Sequence, residues 1–108
     1  WANDDEVKAY KDFLKTYAPS ANPDDYSVLV AYMNVHAVEM ALRKCGDDLT
    51  RENLIKQATS MKGERLPMML PGVAISTRSE DYTPFRTLRI ATFDGASWNL
   101  TGEPLSAD

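Results

Sequence analysis

Apolar residues follow a helical period over roughly the first 60 positions and an alternating one near the end. Val7, Tyr10, Phe13, Leu14 and Tyr17 recur at spacings of three and four, with Lys8, Lys11, Asp12 and Lys15 on the other side. This predicts an amphipathic helix over Asn3–Ala18. Asn3 and Glu6 have the spacing of a capping box, with Asn in place of Ser or Thr. Pro19 ends the helix, and Ser20–Asp25 reads as a polar loop. The stretch Tyr26–Cys45 predicts one long helix. Asp24 or Asp25 can cap its start, and Gly46 can end it in a left-handed conformation. Arg43 and Lys44 suit the negative end of its dipole. His36, Glu39 and Arg43 make one narrow polar stripe, with Asn34, Val30, Val38, Ala41 and Cys45 on the opposite side. A helix this apolar is expected to be covered over most of its circumference.

Thr50 is the expected N-cap of a third helix, Arg51–Met61, with Leu49 and Leu54 as a hydrophobic staple across the cap. Leu54, Ile55 and Ala58 supply its buried face, and Gly63 closes it. The pattern then changes. Two prolines in Leu66-Pro-Met-Met-Leu-Pro-Gly72 forbid a long regular element. Val73–Ser76 is a short strand candidate and Thr77–Pro84 is turn-rich. Thr87–Phe93 alternates as a strand does, with Leu88 and Ile90 on one face and Arg89 and Ala91 on the other. Asp94-Gly95 marks a hairpin turn, Trp98–Thr101 is the return strand, and the tail after Gly102 is expected to be loose. Read alone, the chain is α+β: three helices, then a short antiparallel β region. So small a sheet needs something packed on it, and the helices offer more apolar surface than they can cover among themselves.

Composition narrows the function classes. The 108 residues suit one domain or part of one, and 44% apolar content argues against wholesale disorder. Net charge is −4 with both signs interspersed, and without a basic block or stripe nucleic acid is not an expected partner. No uninterrupted apolar run reaches about 18 residues, so no membrane span is predicted. No signal-peptide pattern begins at Trp1, which leaves a cytosolic protein or one whose leader lies outside this sequence. A single cysteine permits no internal disulfide.

Catalytic patterns are sparse. His36 is the only histidine and Cys45 the only cysteine. We read His36 as a structural residue beside Glu39, and Cys45 as a small buried hydrophobe. A zinc site is not expected without a CxxC or HExxH pattern. The acidic clusters Asp4-Asp5-Glu6, Asp24-Asp25 and Asp47-Asp48 stand where helix caps and turns need them. Met68 and Met69 read as gap-fillers under a proline-bounded loop, or as the lining of an adaptable pocket. Tyr32 reads as core. Tyr26 reads equally as packing or as part of a small-ligand pocket, since its ring is apolar and its tip hydrogen-bonds.

Several stretches, in order, carry a resemblance: Lys8-Ala-Tyr-Lys-Asp-Phe-Leu-Lys-Thr-Tyr-Ala18, Tyr32, Cys45-Gly-Asp-Asp-Leu-Thr-Arg-Glu-Asn-Leu54, Leu66-Pro-Met-Met-Leu-Pro-Gly72, Asp81-Tyr-Thr-Pro84 and Phe93-Asp-Gly-Ala-Ser-Trp98. Together they resemble the C-terminal part of ABC-transporter solute-binding proteins of the branched-chain amino-acid type, a type I periplasmic binding protein family. The resemblance implies an α/β fold of two lobes that close on a small organic solute, an amino acid or an aromatic or other organic acid, by a hinge motion. It implies delivery to a membrane permease, a periplasmic or extracytoplasmic location, and neither covalent chemistry nor a cofactor. On this reading the sequence is a fragment. Residues 1–65 are the helical segment of one lobe, and residues 66–108 a loop and terminal strands returning towards the other lobe and the hinge. The family often brings the start of the long helix to the ligand, which points to Tyr26 and Ser27. The faces made for an absent sheet are expected to be buried in a homo-oligomer or swapped dimer. The alternative is a small self-associating α+β interaction module without a ligand, and a third reading is an enzyme using His36.

Overall fold

The computed structural model describes residues 4–107. Three helices, α1 (Asp5–Tyr17), α2 (Tyr26–Cys45) and α3 (Arg51–Ala58), precede two strands, β1 (Thr87–Phe93) and β2 (Trp98–Ser106), paired antiparallel. The α+β architecture is the one the sequence pattern predicts.

Capping residues set the helix boundaries. The expected box partner Asn3 lies outside the described residues. Asp4 is the N-cap of α1, its carboxylate accepting from the Glu6 amide at 2.8 Å. Asp25 caps α2, accepting from the Ser27 amide at 2.8 Å, and Gly46 ends it at φ +59°. Thr50 caps α3 by accepting from the Asn53 amide at 3.3 Å.

The third helix is shorter than predicted. It ends at Ala58, because Thr77 takes over the chain beyond it. The Thr77 hydroxyl donates to the Ala58 carbonyl at 2.6 Å and accepts from the Met61 amide at 3.1 Å. Met61 is drawn into the core instead of continuing the helix, so Gly63 has no helix to close. Leu49 stays 66% exposed, so the proposed staple buries little. Ile55 is also exposed, while Leu54 and Ala58 pack on the core as expected.

One core holds the molecule. Ala41, Met61, Leu66, Met69 and Ile75 are buried together, with Met33, Ala37, Met40 and Val73 packed around them. Met69 is the gap-filler that the sequence suggested, and its sulfur accepts from the Leu66 amide at 3.1 Å. The Val73–Ser76 segment is not a strand. Of these residues Ile75 alone makes bridges, to Glu64 and to Phe85, and turns at 67–68 and 71–72 interrupt the chain before it.

A smaller cluster joins α1 to α2. Tyr10 and Leu14 are buried, and Tyr32 lies 5.1 Å from the Tyr10 ring and 5.3 Å from Phe13. Burial raises the Tyr10 phenol above its ordinary value, with Asp24 and Asp25 acting in the same direction. Phe13 and Tyr17, predicted on the same stripe, are largely exposed. The N-terminal end of α1 is tied elsewhere: Glu6 accepts from both terminal nitrogens of Arg65 and from the Met68 amide at 2.9 Å. Met68 sits at φ +68°, a conformation rare for a side-chain-bearing residue, and this carboxylate fixes its amide.

The hairpin also departs from expectation. Residues after Gly102 are not loose, because β2 continues to Ser106, pairing Leu105 with Leu88 and Ser106 with Thr87. A bulge between Leu88 and Ile90 absorbs extra residues of β2. Gly72 packs against this detour: a Cβ there would meet the Pro104 side chain at 2.9 Å, and its φ is +81°. At the tip, Asp94 accepts from the Ala96 and Ser97 amides at 2.9 and 2.8 Å, which lowers its carboxyl to about 2.

Candidate functional site

An apolar groove of about 510 Å³ lies between the first half of α2, the 66–73 loop and the start of β1. Tyr26, Leu29, Val30 and Met33 form one wall, because residues three and four apart share a helix face. Met68, Met69, Leu70 and Val73 form the floor. Phe85, Thr87, Leu88 and Arg89 form the far wall. Leu88 and Arg89 line the same groove although they are adjacent in β1, where the bulge disturbs the simple alternation expected of a strand.

Tyr26 stands on the rim, 77% exposed, at the first turn of α2. Ser27 does not line the groove. Its amide is occupied by Asp25 and the residue is exposed. The structure thus brings one of the two expected ligand residues to a cavity and leaves the other beside it.

Arg89 is the polar residue that sequence reasoning placed only as a strand position. Its two terminal nitrogens donate to the Pro71 carbonyl at 3.2 Å and the Gly102 carbonyl at 3.1 Å. Its Nε is buried without a hydrogen-bond partner. The guanidinium clamps the loop to the hairpin and places a cation in the wall of an apolar groove. Only a disturbance of the strand alternation could have signalled this, and a bulge leaves little trace in sequence.

The other candidate residues are placed as structural parts. Glu39 accepts from Arg43 at 2.7 Å and lies 3.5 Å from His36 Nδ1, and the Arg43 hydrogen bond holds the Glu39 carboxyl below its ordinary value. The His36 ring meets Tyr32 edge-on at 4.5 Å. Cys45 is buried and its thiol donates to the Ala41 carbonyl at 3.3 Å. His36 and Cys45 lie nine positions apart on one helix, about 13 Å along its axis, too far for a base and its nucleophile. Asp4, Asp25 and Asp48 act on backbone amides, as caps and turns require. Among the described residues no group of three or more His, Cys, Asp or Glu could hold a metal ion, and no helix is long and apolar enough to cross a membrane. The apolar lining of the groove matches an apolar body in chemistry.

No family model matches the chain, and neither a curated protein nor a solved structure matches it.

Proposed function

We propose that the chain is part of the solute-binding component of an ABC transporter of the branched-chain amino-acid type. It contributes to capture of a small organic solute, an amino acid or an aromatic or other organic acid, in a cleft between two lobes. The closed protein then delivers the solute to a membrane permease outside the cytoplasm. The observation that carries this reading is the position of Tyr26, the residue pointed to by the resemblance, at the first turn of α2 on the rim of an open groove of about 510 Å³. Ser27 adds a hydroxyl beside it. The fold itself accords with a lobe segment, since much of the apolar surface of α2 and of the hairpin faces outward.

Titration calorimetry on the longest natural polypeptide containing this sequence, against amino acids and aromatic carboxylates, tests the proposal. Binding of at least one class is expected, with Tyr26→Ala weakening it about tenfold, the loss of one good contact, and His36→Ala leaving it unchanged. Absence of binding to every member of both classes sinks the transport reading. A second reading, a self-associating interaction module without a ligand, draws on the same outward-facing apolar surface of α2.

A further inference from the structure

The loop between α3 and β1 makes the same turn twice in succession. Leu66-Pro67-Met68-Met69 and Leu70-Pro71-Gly72-Val73 both begin Leu-Pro. In each, the amide of the fourth residue donates to the carbonyl of the first, at 3.4 Å from Met69 and 3.0 Å from Val73. In each, the third residue has a positive φ, +68° at Met68 and +81° at Gly72. Proline second and positive φ third make a type II turn, whose third position calls for glycine. Gly72 meets that demand and Met68 does not. The left-handed region is disfavoured about tenfold for a residue with a side chain. The type I turn, which would return Met68 to negative φ, differs chiefly by rotation of the one peptide plane between the second and third residues.

What holds Met68 in the disfavoured form is Glu6. From the first turn of α1 its carboxylate accepts from the Met68 amide at 2.9 Å and from both terminal nitrogens of Arg65. One of those nitrogens also donates to the Met69 carbonyl at 3.2 Å, so Arg65 ties the carboxylate to the end of the turn. A hydrogen bond to a charged group is worth about tenfold to a hundredfold, enough to reverse the preference of Met68. Rotating the Pro67–Met68 peptide would turn the Met68 amide away from Glu6 and bring the Pro67 carbonyl towards it. An ionised carboxylate has nothing to donate to that carbonyl; a protonated one has an O–H.

We propose that the Leu66–Met69 turn is a two-state peptide switch latched by Glu6. With the carboxylate ionised, the Pro67–Met68 peptide stays in the type II form. With it protonated or removed, the peptide flips to type I and Met68 relaxes. The surroundings permit this. Leu66 and Met69 are buried at the two ends of the turn, and rotation of one peptide plane leaves the ends in place. Between them Met68 borders a cavity of about 110 Å³ shared with Asp4 and Val7, and also the groove of about 510 Å³. The switch therefore links the first turn of α1 to the floor of the groove, whichever functional reading is correct.

Charge sets the direction of the response. The Arg65 hydrogen bond holds the Glu6 carboxyl below its ordinary 4.5, with burial opposing it, and Asp4 acts on Arg65 in turn. The neighbouring charges are engaged elsewhere, Glu64 by Lys44 and Asp5 by Lys8. The latch is closed at neutral pH and opens as pH falls below 4.5.

Proton NMR on the intact 108-residue chain tests the switch. A type II turn brings the Pro67 Hα against the Met68 amide and gives a strong Overhauser contact there; a type I turn gives a weak one. Wild type should show the strong contact at pH 7 and the weak one at pH 3. Glu6→Ala should show the weak contact already at pH 7, with the Met68 amide exchanging at least about tenfold faster. Circular dichroism checks that α1 survives, since its Asp4 cap remains. Met68→Gly should keep the strong contact at both pH values, and should restore it in the Glu6→Ala background, because glycine needs no latch at positive φ. A strong contact in Glu6→Ala at pH 7 overturns the switch, and this comparison decides the matter without acid. Loss of the strong contact at pH 3 in Met68→Gly would equally overturn it, since the acid response would then not depend on Met68.

Discussion

The two sides of α2 have similar chemistry and opposite fates. Inward, Met33, Ala37, Met40 and Ala41 meet α3 and the 61–75 segment, and the enclosed cluster includes buried Leu66, Met69 and Ile75. Outward, Ala31, Val35, Val38 and Leu42 are no less apolar and meet no comparable cover. What separates them is the topology of the chain after α3. The Thr77 hydroxyl binds the end of α3 and the Met61 amide, and Met61, Leu66, Met69 and Ile75 of the following segment pack with Ala41. Hydrophobicity specifies that a surface is meant to be covered; it does not specify by what.

This contrast can be broken from the inside first. Leu66→Ala should cost about 2–5 kcal/mol, because it opens a cavity in a core with few other members. A urea midpoint far below wild type is the expected reading, and an unchanged midpoint would mean that the inner side does not hold the fold. Thr77→Val should cost about 1–3 kcal/mol by leaving the Met61 amide without its hydroxyl partner. Its effect should appear as faster hydrogen exchange at the end of α3 and in the residues around Met61.

The tether between α1 and the loop sharpens the comparison through pH. The Arg65 hydrogen bond holds the Glu6 carboxyl below its ordinary 4.5, helped by the Met68 amide and opposed by burial. A carboxyl depressed in the folded state contributes stability that is fully present above its unfolded value and is lost as pH falls through the folded one. Wild type should therefore exceed Glu6→Gln in stability at pH 6, and the difference should shrink below pH 4.5. The side chain is about a third exposed, and solvent screening keeps the difference on the order of 1 kcal/mol. A difference constant from pH 6 to pH 3 would contradict the assignment. The smallest effect belongs to the outer side: Val38→Ser in the monomer should change unfolding free energy by no more than about 0.5 kcal/mol.

The elements were legible to different degrees for physical reasons. Helix starts were readable because Asp25 and Thr50 do their work locally. β1 and the Asp94-Gly95 turn were readable from alternation and turn chemistry. The end of α3 was not, because Thr77, well downstream in the chain, decides it. The continuation of β2 past Gly102 was hidden by Gly and Pro, which normally break strands but here form the bulge that Gly72 packs against. At the candidate site, Tyr26 was visible as an amphipathic ring at a helix start, whereas Arg89 emerged only once the loop and hairpin were brought together. Cover for α2 was expected nearly all round, and the structure supplies it mainly on one side.

The sidedness of α2 is tested most directly by the broadening of methyl and amide NMR signals by a soluble paramagnetic agent. Broadening should be strong at Ala31, Val35, Val38 and Leu42 and weak at Met69 and Ile75. Equal broadening of the two sets, or strong broadening of Met69 and Ile75, would contradict the account.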